Sequence, residues 1–258
     1  MLFDCHLHSA ASPDSDMPPE DAIETLAKKG LGCIFTEHID YNTDLEPFFA
    51  LDFDIFPKEY IKYKSDTVGI GIEINLITEA VELNRGHAAD ESLDFVLGAI
   101  HWTEGWDVAF AEDYYKEYDE EVYERYLNYS LKMVEMNDFF DSLAHIDYVS
   151  RYSPLPEKNV LYEKYSTSYD ALLKALIERD KLLELNTRRL ADKQARNNLA
   201  KVYSRYRDLG GKYVTLGSDA HHVSKLGENF DIAVEMIKEI GLLPVYFKER
   251  RRVVCTPI

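Results

Sequence analysis

The chain has 258 residues, 46% of them hydrophobic, which is enough to bury a full core and fits one α/β barrel better than two small domains. A formal net charge of -18 and a pI near 4.8 argue against a nucleic-acid surface, because phosphate backbones are held by basic stripes that release counterions; a small substrate is the expected partner. Cys5, Cys33 and Cys255 show no CxxC spacing, no apolar run approaches ~18 residues and no basic-then-apolar leader opens the chain, so a cytoplasmic protein that does not cross a membrane is expected.

The first apolar run, LFDCH, reads as a strand and delivers His6 and His8 two residues apart, on one face, where both imidazoles can converge on one ion. PPEDAIETLAKKG follows as a helix with an acidic first turn and Gly30 at its end, and LGCIFTEH is a second strand closing on Glu37 and His38. Glu37 either ligates or pairs with a group behind the ligands. From about residue 40 to 66, YNTDLEPFFALDFDIFPKEYIKYKSD forms the longest irregular stretch. It reads either as a lid of aromatics and acids or as a loop packed on the rim through Phe48, Phe49, Phe53 and Phe56.

VGIGIEIN is a third strand, bearing Glu73, and FVLGAIHW a fourth, leading to His101. Between them His87, in the polar NRGHAAD, is expected to be solvated or capping rather than a ligand. A tyrosine-rich helix over 112–137 should lay its aromatics against the barrel or a partner. DSLAHID is the next strand, with His145, and LLELNT and YVTLGSDAH are the last two, separated and flanked by the helices SYDALLKALIERD, NNLAKVYSRYRDLGG and NFDIAVEMIKEIG. The final strand ends in Asp219 and His221; His222, adjacent to His221, should point away. The RRR at 250–252 reads as a solvated helix end.

Strands apolar on both faces and alternating with helices predict a parallel sheet covered by its crossovers. Such a sheet presents all its C-terminal strand ends on one face, where barrel enzymes assemble their sites. Asp4, His6 and His8, then Glu37 and His38, Glu73, His101, His145, and Asp219 with His221 all lie at or near those ends. A single histidine there is most often structural; this many, in successive runs, point to a metal cluster.

The ordered motifs HLH, TEH, GIEIN, GAIH, AHIDYV and GSDAH resemble those of the polymerase and histidinol phosphatase (PHP) family, over almost the whole chain. The resemblance is greatest to its metal-dependent histidinol-phosphate phosphatases, through FTEHIDY, HIDYVSRY, LELNT, LGGKYVTLGSDAH and RRRVVCTPI. It implies a distorted (β/α)7 TIM-like barrel as a single domain over 1–258. It also implies two or three divalent ions, Mn, Fe or Zn. His6, His8, Glu73 and Asp219 would hold the first, Glu73 would bridge to a second with His101 and His145, and Asp14, His38 and His221 would hold a third. Asp14 stands where many relatives carry histidine, which hardens that site.

The implied reaction is hydrolysis of L-histidinol phosphate to L-histidinol and phosphate, in histidine biosynthesis. Cations would activate water and neutralise the dianionic ester, with Glu73 and Asp219 the catalytic carboxylates and Asp219 relaying a proton to the leaving alkoxide. Arg151, six residues after His145, and Arg188 or Arg189 in ELNTRRL are the candidate phosphate clamps, because a guanidinium contacts phosphate bidentately. Acidic residues in YNTDLEPFF are candidates to pair with the substrate ammonium. The alternatives are a PHP phosphoesterase for another small phosphate ester or a nucleotide, and a catalytically silent metal-binding module. Oligomeric state is not legible.

Overall fold

Every residue of VGIGIEIN is buried, so this strand needs cover on both faces, which a parallel sheet wrapped by its own crossover helices supplies. The computed structural model describes residues 1–50, 52–53, 55–110, 112–119 and 121–255. Its strands are β1 (Leu2–Leu7), β2 (Leu31–Tyr41), β3 (Pro47–Ala50), β4 (Val68–Asn75), β5 (Phe95–Ala99), β6 (Trp102–Thr103), β7 (Trp106–Asp107), β8 (Ser142–Leu143), β9 (Leu182–Asn186), β10 (Tyr213–Gly217), β11 (Leu243–Lys248) and β12 (Arg251–Val254). Nine of them lie side by side in the order β1-β2-β4-β5-β8-β9-β10-β11-β12, with β3 antiparallel on β2 and β6–β7 a separate hairpin. The path is parallel up to β11, and β12 returns antiparallel.

The seven runs anticipated as strands are β1, β2, β4, β5, β8, β9 and β10, adjacent in the sheet in their sequence order. The two ends of this series also meet. The Asp219 N–H donates to His6 O at 2.7 Å, the His8 N–H donates to Ala220 O at 2.9 Å, and Leu7 and Ala220 form a parallel bridge.

The helices are α1 (Pro19–Lys28), α2 (Phe56–Tyr60), α3 (Val81–Ala88), α4 (Glu112–Tyr118), α5 (Glu121–Met136), α6 (Val149–Tyr152), α7 (Ser166–Glu178), α8 (Lys193–Asp208) and α9 (Phe230–Ile240). Local chemistry sets their ends. Pro19, Glu20 and Asp21 open α1 where free N–H groups favour negative charge, and Asp192 caps α8 by accepting from Gln194 N and Ala195 N. Gly241, at φ 86°, ends α9 in the left-handed region. Among the described residues no helix is long and apolar enough to cross a membrane.

Three expectations change. The arginines 250–252 are not a helix end: Arg251 and Arg252 begin β12, and Arg250 turns the hairpin at φ 60°. Its guanidinium donates to Asp141 Oδ2 at 2.7 Å and to the carbonyls of Ala88 and Phe139. The stretch 40–66 contains β3 and α2, with Phe56 and Tyr60 buried in the core, so its described part packs like a rim loop. The side chains of Phe48 and Phe49 lie outside the described residues. The tyrosine-rich segment is two helices, α4 and α5, and it does bury Tyr114, Tyr115, Tyr123 and Tyr126.

Two apolar clusters result, a large one and a small one built from Phe3, Cys5, Ile34, Phe95, Leu97, Val245 and Phe247. Period-two alternation carries the rows of the small cluster upward: Ile34 leads to Thr36 and His38, and Phe95 and Leu97 lead to Ala99 and His101. β1 is the exception. Its register against β2 slips between Asp4 and Leu7, one extra residue that moves the inward row from Phe3 and Cys5 onto His6 and His8.

Candidate metal centre

All nine residues anticipated as ligands converge at one mouth, and Glu73 stands at their middle. Its Oε1 lies 2.9 Å from His145 Nε2, 3.3 Å from His6 Nε2 and 3.4 Å from His101 Nε2. Its Oε2 lies 3.0 Å from His38 Nδ1 and 3.5 Å from His8 Nε2. Asp219 Oδ1 is 3.6 Å from His6 Nε2 and 3.7 Å from His8 Nε2, and those two nitrogens are 3.1 Å apart. Farther out, Asp14 Oδ2 is 3.0 Å from His221 Nε2 and 3.5 Å from His38 Nε2.

These spacings match donors facing a common ion, since ligand atoms ~2.0–2.1 Å from a tetrahedral metal stand about 3.3 Å from one another. Five overlapping triads satisfy this loosely, each with donor atoms within 4.8 Å. Glu73 Oε2 is buried and receives no hydrogen bond among the described residues, as a ligand oxygen would. The donor set of imidazoles and carboxylates fits a divalent ion of intermediate softness.

The charges show the same demand for cations. Burial alone would raise the pKa of Glu73, but His6, His101 and His38 hold it well below the usual carboxylate range. Asp219, also buried, is held low by Arg151, His6 and His221. Burial lowers His8, reinforced by His38 and His221, whereas His101 is raised to about 10 against its burial by Asp40 and Glu73.

Behind the cluster stand groups that orient it, and the sequence reading missed two of them. Glu184 in β9 lies 2.7 Å from His6 Nδ1 and accepts from the His145 backbone N–H at 2.8 Å. Asp40 Oδ2 is 2.6 Å from His101 Nδ1. Each carboxylate fixes its imidazole so that Nε2 faces the centre. Gly217 makes room for this: a Cβ there would collide with Glu184 Oε1 and with His6 Cβ. Glu37, left open between ligand and partner, is a partner. It accepts from Ser9 N–H at 3.0 Å and Ser12 Oγ at 2.6 Å, and Ser12 Oγ is 3.2 Å from His8 Nδ1. Asp4 is turned away, taking Ser218 N–H at 2.9 Å and Gly227 N–H at 3.1 Å. Asp219 holds φ 54°, a conformation Asp tolerates better than most side chains and one that recurs at functional sites.

The cluster forms the floor of a cavity of about 540 Å³ whose walls include Tyr148, Arg151, Tyr152, Arg188 and Glu228. Arg151, on α6, donates to Asp219 Oδ2 at 2.5 Å and to Asn186 Oδ1 at 3.0 Å. Arg188 Nη1 is 3.7 Å from Asp219 Oδ2, half exposed at the cavity. Arg189 is elsewhere, bound to Asp147 and to Asn159 Oδ1, so of the neighbouring pair only Arg188 lines the cavity. His87 bonds Tyr41 OH at 2.9 Å, away from the cluster. His222 reaches the cavity rim, but its Nδ1 accepts from Ser224 N. Asp44 and Glu46, the acids of YNTDLEPFF, are exposed and do not line the cavity.

The PHP domain family profile matches residues 4–188. The chain is 41% identical to a probable histidinol-phosphatase of Clostridium acetobutylicum, covering 97% of this chain and 98% of the relative. It is 28% identical to a histidinol-phosphatase of Lactococcus lactis subsp. lactis, covering 93% and 91%. A crystal structure of histidinol phosphate phosphatase from Lactococcus lactis subsp. lactis, complexed with zinc, L-histidinol and phosphate, superposes with a TM-score of 0.90 at 26% identity over 98% of both chains.

Proposed function

The chain belongs to the PHP domain family, and from that premise we propose that it is a metal-dependent histidinol-phosphatase, converting L-histidinol phosphate and water to L-histidinol and phosphate. The observation that carries the reading is the buried cluster of imidazoles and carboxylates on the floor of a cavity walled by two arginines, together with near full-length similarity to histidinol-phosphatases. We read residues 1–258 as one distorted (β/α)7 barrel, supported by the hydrogen bonds between β1 and the end of β10. Three buried free cysteines fit the reducing cytoplasm.

His6, His8, Glu73 and Asp219 would hold one divalent ion, Glu73 with His101 and His145 a second, and Asp14, His38 and His221 a third, with Mn, Fe or Zn as the candidates. Bound there, the ions supply acidification of water and neutralisation of the phosphate dianion. Glu184 and Asp40 keep His6 and His101 in the tautomer whose Nε2 lone pair faces the floor. Arg151 and Arg188 bind nonbridging phosphate oxygens, Arg151 from a guanidinium already fixed by Asp219 and Asn186. A new P–O bond forms to water as the ester P–O bond breaks. Asp219, held as a carboxylate, takes the proton the water releases and passes it to the departing alkoxide of histidinol.

The test is a panel in which metal-loaded protein is given L-histidinol phosphate, sugar phosphates and nucleotide mono- and diesters at equal concentration. Preference for L-histidinol phosphate by at least about tenfold in kcat/KM, ~1.4 kcal/mol of discrimination, is expected. A nucleotide or sugar phosphate turned over as well would replace it with a broader phosphoesterase.

A further inference from the structure

A substrate with an ammonium group two carbon atoms from its ester oxygen needs an anion one layer outward from the phosphate. Four carboxylates line the cavity: Asp14, Glu73, Asp219 and Glu228. The first three lie 2.9–3.6 Å from cluster imidazoles and are committed to that cluster. Glu228 is the remaining one.

Its place is built. The Glu228 carbonyl accepts from Thr187 Oγ1 at 2.5 Å, and Asn229 Nδ2 returns a hydrogen bond to Thr187 O at 3.0 Å. On the other side Gly227 N–H is held by buried Asp4 at 3.1 Å. Gly227 and Asn229 sit at φ 61° and 59°, so the chain turns sharply on both sides of Glu228 and little freedom is left to it. Thr187 precedes Arg188, whose guanidinium approaches Asp219, so Glu228 and the phosphate-side arginine belong to one wall. Lys225 engages Glu228 Oε1 at 2.7 Å, and a carboxylate has a second oxygen to offer.

We propose that Glu228 receives the ammonium group of the substrate and so selects aminoalkyl phosphates; this rests on the substrate reading above. Lys225 tempers the attraction and screens Glu228 when the cavity is empty. The test compares wild type, Glu228→Gln and Lys225→Met on L-histidinol phosphate and on its deaminated analogue, 3-(imidazol-4-yl)propyl phosphate. In Glu228→Gln the ratio of kcat/KM for the aminated over the deaminated ester falls about tenfold, through KM of the aminated ester, as loss of a charge-assisted contact requires. In Lys225→Met the same ratio rises. An unchanged ratio in Glu228→Gln, whether both activities fall or neither does, overturns the role of Glu228 alone. A wild-type enzyme inactive on L-histidinol phosphate but active on other esters overturns the substrate reading and this inference with it.

Discussion

Replacing Glu73 by Gln tests the centre at its most connected point. The two carboxylate oxygens approach five imidazole nitrogens at 2.9 to 3.5 Å, so a near-isosteric amide removes one negative charge from the middle of the cluster and puts an N–H donor where an acceptor stood. Losing a partner behind a ligand already costs metal affinity ~10- to 100-fold. Loss of the shared ligand itself should reach at least the upper figure for each ion it holds, or about 2.7 kcal/mol per ion. The assay is metal content by mass spectrometry after equilibration at buffered free metal. Where wild type is fully loaded, the variant should retain less than half, and turnover should fall on the order of a hundred- to a thousandfold, as for removal of a fixed charge at a reacting centre. Far-UV circular dichroism should stay near wild type, because the apolar clusters do not include this side chain. Full metal content with near-normal turnover would refute the reasoning.

Arg151→Ala should lower kcat/KM for the phosphate ester roughly ten- to a hundredfold, the ~1.5–3 kcal/mol of a charge-assisted contact, and should weaken inhibition by inorganic phosphate; wild-type values for both would leave it a packing residue. Arg188→Ala should raise KM, whereas Arg189→Ala should mainly lower Tm by stranding Asp147, and the reverse pattern would exchange their roles. Glu184→Gln and Asp40→Asn should each weaken metal binding ~10- to 100-fold with the ligands intact, read by competition with a fluorescent chelator. Chelation of wild-type protein should lower Tm, since a ligand of the folded state alone stabilises it by mass action; an unchanged Tm would argue against ions at the cluster.

The seven central strands were legible because most carry an apolar run of strand length and six of the seven lead to a metal-capable side chain that has little reason to be buried except function. β8 is the limiting case: Ser142–Leu143 is only two residues long, and DSLAHID was recognisable through its neighbours and His145 rather than through periodicity. β12 was misread for a physical reason. A basic run after a helix resembles a helix C-terminus, and only the tertiary position of Asp141 and two carbonyls explains an arginine at φ 60°. Asp40 and Glu184 were missed because an acid behind an imidazole leaves no spacing in the sequence; each meets its histidine across 61 and 178 residues. A signal did exist at Glu184, an acid inside the otherwise apolar LLELN.

The opening histidine pair shows where pattern and structure part. Strict alternation from Phe3 and Cys5, which face the small apolar cluster, would put Asp4, His6 and His8 on the opposite face. The extra residue between Asp4 and Leu7 reverses the phase, leaving Asp4 outward, where it ties Ser218 and Gly227, and turning His6 and His8 inward. The bulge therefore does two jobs with one residue. It delivers both imidazoles to Glu73, and it lets Asp4 brace the loop that presents Asp219. Deleting Cys5 would take out the extra residue and leave plain alternation with Phe3, His6 and His8 inward and Asp4 outward, so metal content should persist and the cost should fall on Tm through the small apolar cluster that Cys5 joins; loss of metal would show that the bulge itself positions the imidazoles.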